Sequence, residues 1–145
     1  MTRVVVVADS GPVLASLTAA VGTVPGAYIV RHGSAAGRLD RLVGGLAPDL
    51  VVIGDLLAPE DALARLAEVR GAAPDAQVVV LSSSPEAGWL ADALRAKASA
   101  VLPGAMDPET LGLVLREVLA ERDAAEVHEL RPRLVRSETP AGAAA

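Results

Sequence analysis

The sequence predicts an α/β domain in which helices cover both faces of a five-stranded parallel sheet. Three observations predict it. The runs Val4–Val7, Leu50–Ile53 and Val78–Leu81 are continuously apolar, as strands buried on both faces are. Stretches with apolar residues at helical spacing lie between these runs. Glycine, proline, serine and aspartate mark the joins. Strand and helix therefore alternate, and alternation of this kind builds parallel sheets with helical crossovers.

The elements follow in order. Val4 to Val7 forms the first strand and ends in Ala8-Asp9-Ser10-Gly11-Pro12, a turn and helix start. Val13, Leu14, Leu17 and Val21 give the first helix its face, and Pro25-Gly26 breaks it. Ala27 to Arg31 is a short second strand. Leu39, Leu42, Val43 and Leu46 make a second helical face that Gly44-Gly45 helps to end. Asp49 to Ile53 is the third strand, closed by Gly54-Asp55. Pro59 suits the first turn of a third helix, with Leu63, Leu66 and Val69 as its stripe. Gln77 to Leu81 is the fourth strand, ended by Ser82-Ser83-Ser84. Pro85 opens a fourth helix with Trp89, Leu90, Ala93 and Leu94, and Ala100 to Leu102 is the fifth strand. Asp107-Pro108-Glu109 reads as N-cap, N1 proline and acidic first turn of a fifth helix. Its apolar positions are Leu111, Val114, Leu115, Val118 and Leu119. No breaker stands before Pro132, so this helix is expected to run past Arg122, and the stretch from Arg131 reads as a linker. The expected division is a domain over 1–122 and a helical extension and tail over 123–145.

Composition narrows the function. The chain has 145 residues, enough for one domain with a substantial core. With no Phe, one Trp and one Tyr, it cannot stack bases or flank a flavin ring well. The net charge of -5 gives no basic footprint, so DNA is expected only through an output domain absent from this chain. Cysteine is absent, which excludes disulfides and thiolate metal sites. Met1-Thr2-Arg3 leads straight into a strand, and no apolar run approaches membrane-spanning length. A cytoplasmic protein without membrane contact is the expectation. His32 and His128 have no metal-like spacing, and neither a G-x-G-x-x-G nor a Walker pattern occurs.

Ligands of open α/β sheets bind outside the carboxyl ends of the strands. Here those ends carry Asp9-Ser10, Gly54-Asp55, Ser82 and Leu102-Pro103-Gly104. Two carboxylates there can hold a hard divalent cation, and one can act as a nucleophile toward a phosphoryl group. The bland readings are equally concrete. Asp9 can cap the first helix, Asp55 can be a solvated loop acid, and Ser82 can satisfy turn backbone.

These residues carry a resemblance. Val-Val-Ala-Asp-Ser-Gly-Pro (6–12) resembles the first strand end of response-regulator receivers, where two acids help to bind magnesium. Pro-Asp-Leu-Val-Val-Ile-Gly-Asp-Leu-Leu-Ala-Pro (48–59) resembles their phosphoacceptor segment, with Asp55 four residues before Pro59. Val-Val-Val-Leu-Ser (78–82) is similar to the fourth strand, whose end places Ser82 where a switch hydroxyl sits. Ala-Val-Leu-Pro-Gly-Ala-Met-Asp-Pro-Glu-Thr-Leu (100–111) is similar to the fifth strand and the last helix start. The resemblance implies a flavodoxin-like, CheY-like, doubly wound sheet of order 2-1-3-4-5. It implies Asp55 as acceptor, Ser82 as switch residue, and Asp9 with Asp55 as ligands for Mg2+. It further implies a sensor histidine kinase upstream and a LuxR/NarL-type output domain downstream. Val118, Leu119, Ala125, Val127 and Leu130 supply more apolar surface than a terminal helix needs, so a homodimer through the last helix is expected, as the resemblance also implies.

Four departures bear on the chemistry. Ser10 replaces the second acid, Gly104 the cation that pairs with the phosphoryl group, and Val101 the aromatic switch residue. Counting from Pro48 puts the acceptor at Gly54, whereas counting back from Pro59 puts it at Asp55, so one residue is inserted. The expectation is a receiver-like signalling domain, without catalysis, whose phosphoacceptor site is weak or absent. The rival expectations are a small-molecule-binding module and a hydrolase using Ser10 or the Ser82–Ser84 run, for which no His base lies near in sequence.

Overall fold

The computed structural model describes residues 1–138 apart from 10, 35–37, 57–58, 83–87, 89–90, 93–94, 96–97 and 105. Of 55–56, 59–62 and 124–138 it describes the backbone only. The expected fourth helix, Trp89 included, and the Ser10 and Ser83–Ser84 positions fall wholly or mostly outside the described residues.

Five strands, β1 (Thr2–Val7), β2 (Ala27–Gly33), β3 (Leu50–Leu56), β4 (Gln77–Ser82) and β5 (Ala100–Pro103), form one sheet. Its order is β2-β1-β3-β4-β5 and every pair is parallel. Four helices are described: α1 (Gly11–Gly22), α2 (Leu39–Val43), α3 (Pro59–Ala72) and α4 (Pro108–Glu138), the last being the fifth the sequence predicts.

Alternation along each buried strand divides the core into two layers. Val5, Val7, Val51, Ile53, Val78 and Val80 face α2 and α3, meeting Leu39, Val43, Leu66 and Val69. Val4, Val6, Leu50, Val52, Val79 and Leu81 face α1 and α4, meeting Leu17, Val21, Leu111, Leu115 and Val118. Gly112 lets α4 close on α1, because a Cβ there would collide with the Thr23 hydroxyl. Among the described residues, aliphatic side chains and Met106 fill both layers.

Caps and turns stand where the residues place them. Asp107 accepts the Thr110 amide at 3.0 Å and the Thr110 hydroxyl at 2.8 Å, which caps α4. Gly26 and Gly45 take positive φ, of 76° and 78°, in the turns after α1 and α2.

Strands β1, β2, β4 and β5 run one or two residues beyond expectation, and three further boundaries also depart from it. The strand expected to close at Gly54-Asp55 continues to Leu56. Facing α2 reaches only Leu39–Val43, so Leu46 packs from the following turn. The last helix passes straight through Pro132 and ends at Glu138. A proline inside a helix forfeits one backbone hydrogen bond, which a helix this long tolerates while losing local stability.

Candidate functional site

The register brings the candidate residues to one end of the sheet. Val7 pairs with Ile53, so Asp9 and Asp55 each lie two residues beyond the last paired position of β1 and β3. Across the next ladder Leu56 pairs with Ser82, and Ser82 with Pro103. Gly104 then donates its amide to the Ser82 carbonyl at 2.9 Å. Asp9, Asp55, Ser82 and Gly104 therefore share the carboxyl edge of β1, β3, β4 and β5.

The β3–β4 ladder carries an irregularity at this edge. Ile53 stands opposite Val80 and Leu56 opposite Ser82, so β3 takes three steps where β4 takes two. Gly54 and Asp55 together oppose Leu81, which is the geometry of a β-bulge. The extra residue visible in the spacing between Pro48 and Pro59 is accommodated in this way.

Gly54 is the tight position of the bulge. A Cβ there would lie 2.8 Å from Val13 Cγ1 and 3.2 Å from Leu17 Cδ1. Helix α1 thus covers position 54 with two apolar side chains, and no carboxylate fits in that direction. Asp55 is the only acid that β3 offers at this edge.

The other groups are already engaged. The Asp9 carboxylate, exposed at the end of β1, accepts the Ser34 hydroxyl from beyond β2. Ser82 is buried, with 6% exposure, among the apolar ends of β4 and β5. Among the described residues no three His, Cys, Asp or Glu side chains gather as a metal site. A divalent cation asks for about six oxygen ligands, several of them charged. Asp9 shared with Ser34, and Ser10 without charge, fit magnesium poorly, and no step is derived through it.

The opposite edge holds a long-range charge pair that the sequence did not reveal. Asp49, just before β3, accepts the Arg3 amide at 2.9 Å and the Arg122 guanidinium at 2.8 Å. Its own amide and carbonyl bond Arg3 and Gln77, each at 2.9 Å. Partial burial acts to raise the Asp49 carboxyl, but the Arg3 amide and the Arg122 guanidinium outweigh it and hold it below the usual carboxylate range. Residues 73 positions apart in sequence leave no periodic signal of such a pair. Gly54, by contrast, is a glycine inside an apolar strand, and that pattern does signal a bulge or a close approach.

No family model and no curated protein sequence matches the chain. Solved structures do. A LuxR-family two-component response regulator from Aurantimonas sp. SI85-9A1 is 25% identical, with TM-score 0.72 over 90% of this chain and 99% of that one. A CheY-like receiver domain protein from Methanospirillum hungatei is 17% identical, with TM-score 0.73 over 86% and 98%. A pilus assembly-related protein from Burkholderia pseudomallei is 25% identical, with TM-score 0.67 over 83% and 90%. No described helix is long and apolar enough to cross a membrane. Sheet order, two-faced helical cover and these neighbours agree: the chain has the CheY-like fold of the response-regulator receiver domains of two-component systems.

Proposed function

We propose that this chain is a signal-transduction receiver domain that works through protein contacts, with a phosphoacceptor site too depleted for efficient chemistry. The observation that carries the reading is the β3 bulge. It turns Gly54 under Val13 and Leu17 and leaves Asp55 as the single acid on that strand end. Gly104, where a cation would stabilise the transferring phosphoryl group, adds to it. Asp55 is then the residue that takes whatever phosphate is accepted, Ser82 the switch hydroxyl, and Asp9 with Asp55 a weak magnesium site. The domain proper is 1–122 and has no catalytic turnover of its own. A sensor histidine kinase is the upstream partner, and transcription is controlled through a DNA-binding domain outside this chain.

Incubation with acetyl phosphate and magnesium, followed by intact-mass measurement, tests this. The expected result is substoichiometric, short-lived addition that Asp55→Asn abolishes. Stoichiometric, long-lived phosphorylation overturns it, as does phosphorylation that survives Asp55→Asn.

The homodimer belongs to the same proposal, with its surface revised. Val118 is 5% exposed and Leu119, partly buried, packs against the same core, so Val118 is not available to a partner. Leu113 is 59% exposed on the same helix. Leu113, Ala120, Val127 and Leu134 recur every seven residues along one unbroken helix. That spacing suits pairing with a second copy. The likeness to a pilus assembly-related protein favours a second reading, in which the same module serves a protein assembly rather than transcription.

A further inference from the structure

The α1/α4 layer contains a cavity that the proposed signalling chemistry does not use. It has a volume of about 130 Å3 and opens on one side to solvent. Pro12, Val13 and Leu17 of α1 wall it, with Leu81 near the end of β4, Met106 just before α4 and Leu111 in its first turn. Among the described residues, Ser16 supplies the single polar side chain of the wall, and none of them is charged.

Its origin lies in the bulge. Val13 and Leu17, the two side chains that cover Gly54, are also two of its walls. Gly104 closes the far side with no side chain of its own, held by its amide bond to the Ser82 carbonyl. Volume is thus missing where α1 leans toward β3 and β5 ends in glycine. Protein interiors are close-packed, so lining atoms without partners forfeit dispersion contacts that a guest molecule restores. An apolar cavity on the order of 150 Å3 accommodates a benzene-sized molecule. The location, outside the carboxyl ends of parallel strands, is where α/β sheets take their ligands.

We infer that this cavity binds a small, uncharged, mainly apolar molecule with no more than one hydrogen-bonding group, which Ser16 meets. The described wall residues offer a carboxylate or phosphate no cationic side chain to offset its desolvation, which favours an uncharged guest. The site touches α1, the β4 end and the first turn of α4 together, so occupancy stiffens the junction between the sheet edge and the long helix. It operates whether or not Asp55 is ever phosphorylated.

Methyl NMR of the full chain, titrated with 1-butanol and separately with butyrate, tests the inference. Saturable shifts at Val13, Leu17, Leu81 and Leu111 methyls are expected with 1-butanol and none with butyrate. Ser16→Leu and Gly104→Val fill the cavity from opposite walls. Whichever of them retains the wild-type fold in its backbone spectrum should lose the butanol response. Shifts that grow linearly without saturating overturn the inference. So do equal responses to the two probes, no response to 1-butanol, or a response that persists in a folded filled variant.

Discussion

Gly54 shows how one residue decides what the edge of the sheet can do. Its missing Cβ lets Val13 and Leu17 close over β3, so Gly54→Ala forces a methyl to within 2.8 Å of Val13 Cγ1. Overpacking of this kind costs typically about 1–3 kcal/mol. Urea denaturation should show that loss, and Val13→Ala in the same chain should recover part of it; additive losses in the double variant would contradict the contact. Asp49 makes a second residue-level case. Asp49→Asn removes the charge that holds Arg122, a loss of about 1–3 kcal/mol if the guanidinium is left without an anion. The sign with pH follows from the depressed carboxyl. Its folded value lies below its unfolded one, so the stabilisation is complete above about pH 5 and fades as pH falls through the ordinary and then the folded value. Wild type and Asp49→Asn should therefore converge in stability toward about pH 2 and stay a constant distance apart above about pH 5. A gap that widens in acid would refute the pairing.

At the scale of elements, the legible parts were those that obey a single period. The valine-rich strands and the α1 and α3 stripes are in the sequence because a strand buried on both faces, or a helix with one buried face, must be written that way. Asp107-Pro108 announced α4 equally well, through its capping chemistry. The end of β3 was not legible, since Gly54-Asp55 is a turn signal locally and a bulge only when β4 lies alongside. The far end of α4 was hidden for the converse reason: Pro132 is a breaker by propensity, yet a helix already under way continues across one missing amide. Faces of α4 also needed the fold. Sequence alone makes Val118 and Leu119 equivalent apolar positions and passes over Leu113, whereas packing against α1 and the sheet buries Val118, partly buries Leu119 and exposes Leu113. That difference separates folding from association. Val118→Glu places a carboxylate in the core and should destabilise the monomer by about 3 kcal/mol or more. Leu113→Glu should leave the thermal melt unchanged and convert a sedimenting dimer to monomer. A wild-type chain that stays monomeric at high micromolar concentration removes the dimer from the proposal.

For the whole molecule, the question is which part of the chain constitutes the folding unit. Among the described residues, the layer under α2 and α3 draws nothing from α4, and the other draws on it from Leu111 to Leu119. Arg122 then fastens α4 to Asp49 one turn further on, at 21% and 28% side-chain exposure, across the edge opposite the candidate site. The helix continues for sixteen residues beyond that fastening, to Glu138. An isolated helix of about that length is close to marginal in water, and we propose that the extension lies outside the folding unit. Truncation after Asp123 should therefore keep a single cooperative melt with a midpoint within about 4 °C of the full chain, a shift corresponding to less than about 1 kcal/mol. Truncation after Gly112 removes Leu115 and Val118 from the α1/α4 layer together with the Asp49 partner, and should leave no cooperative transition. Calorimetry of the two truncated chains decides the matter. A broad or strongly lowered transition in the longer one would mean that the extension belongs to the fold, and that the boundary proposed at residue 122 is misplaced.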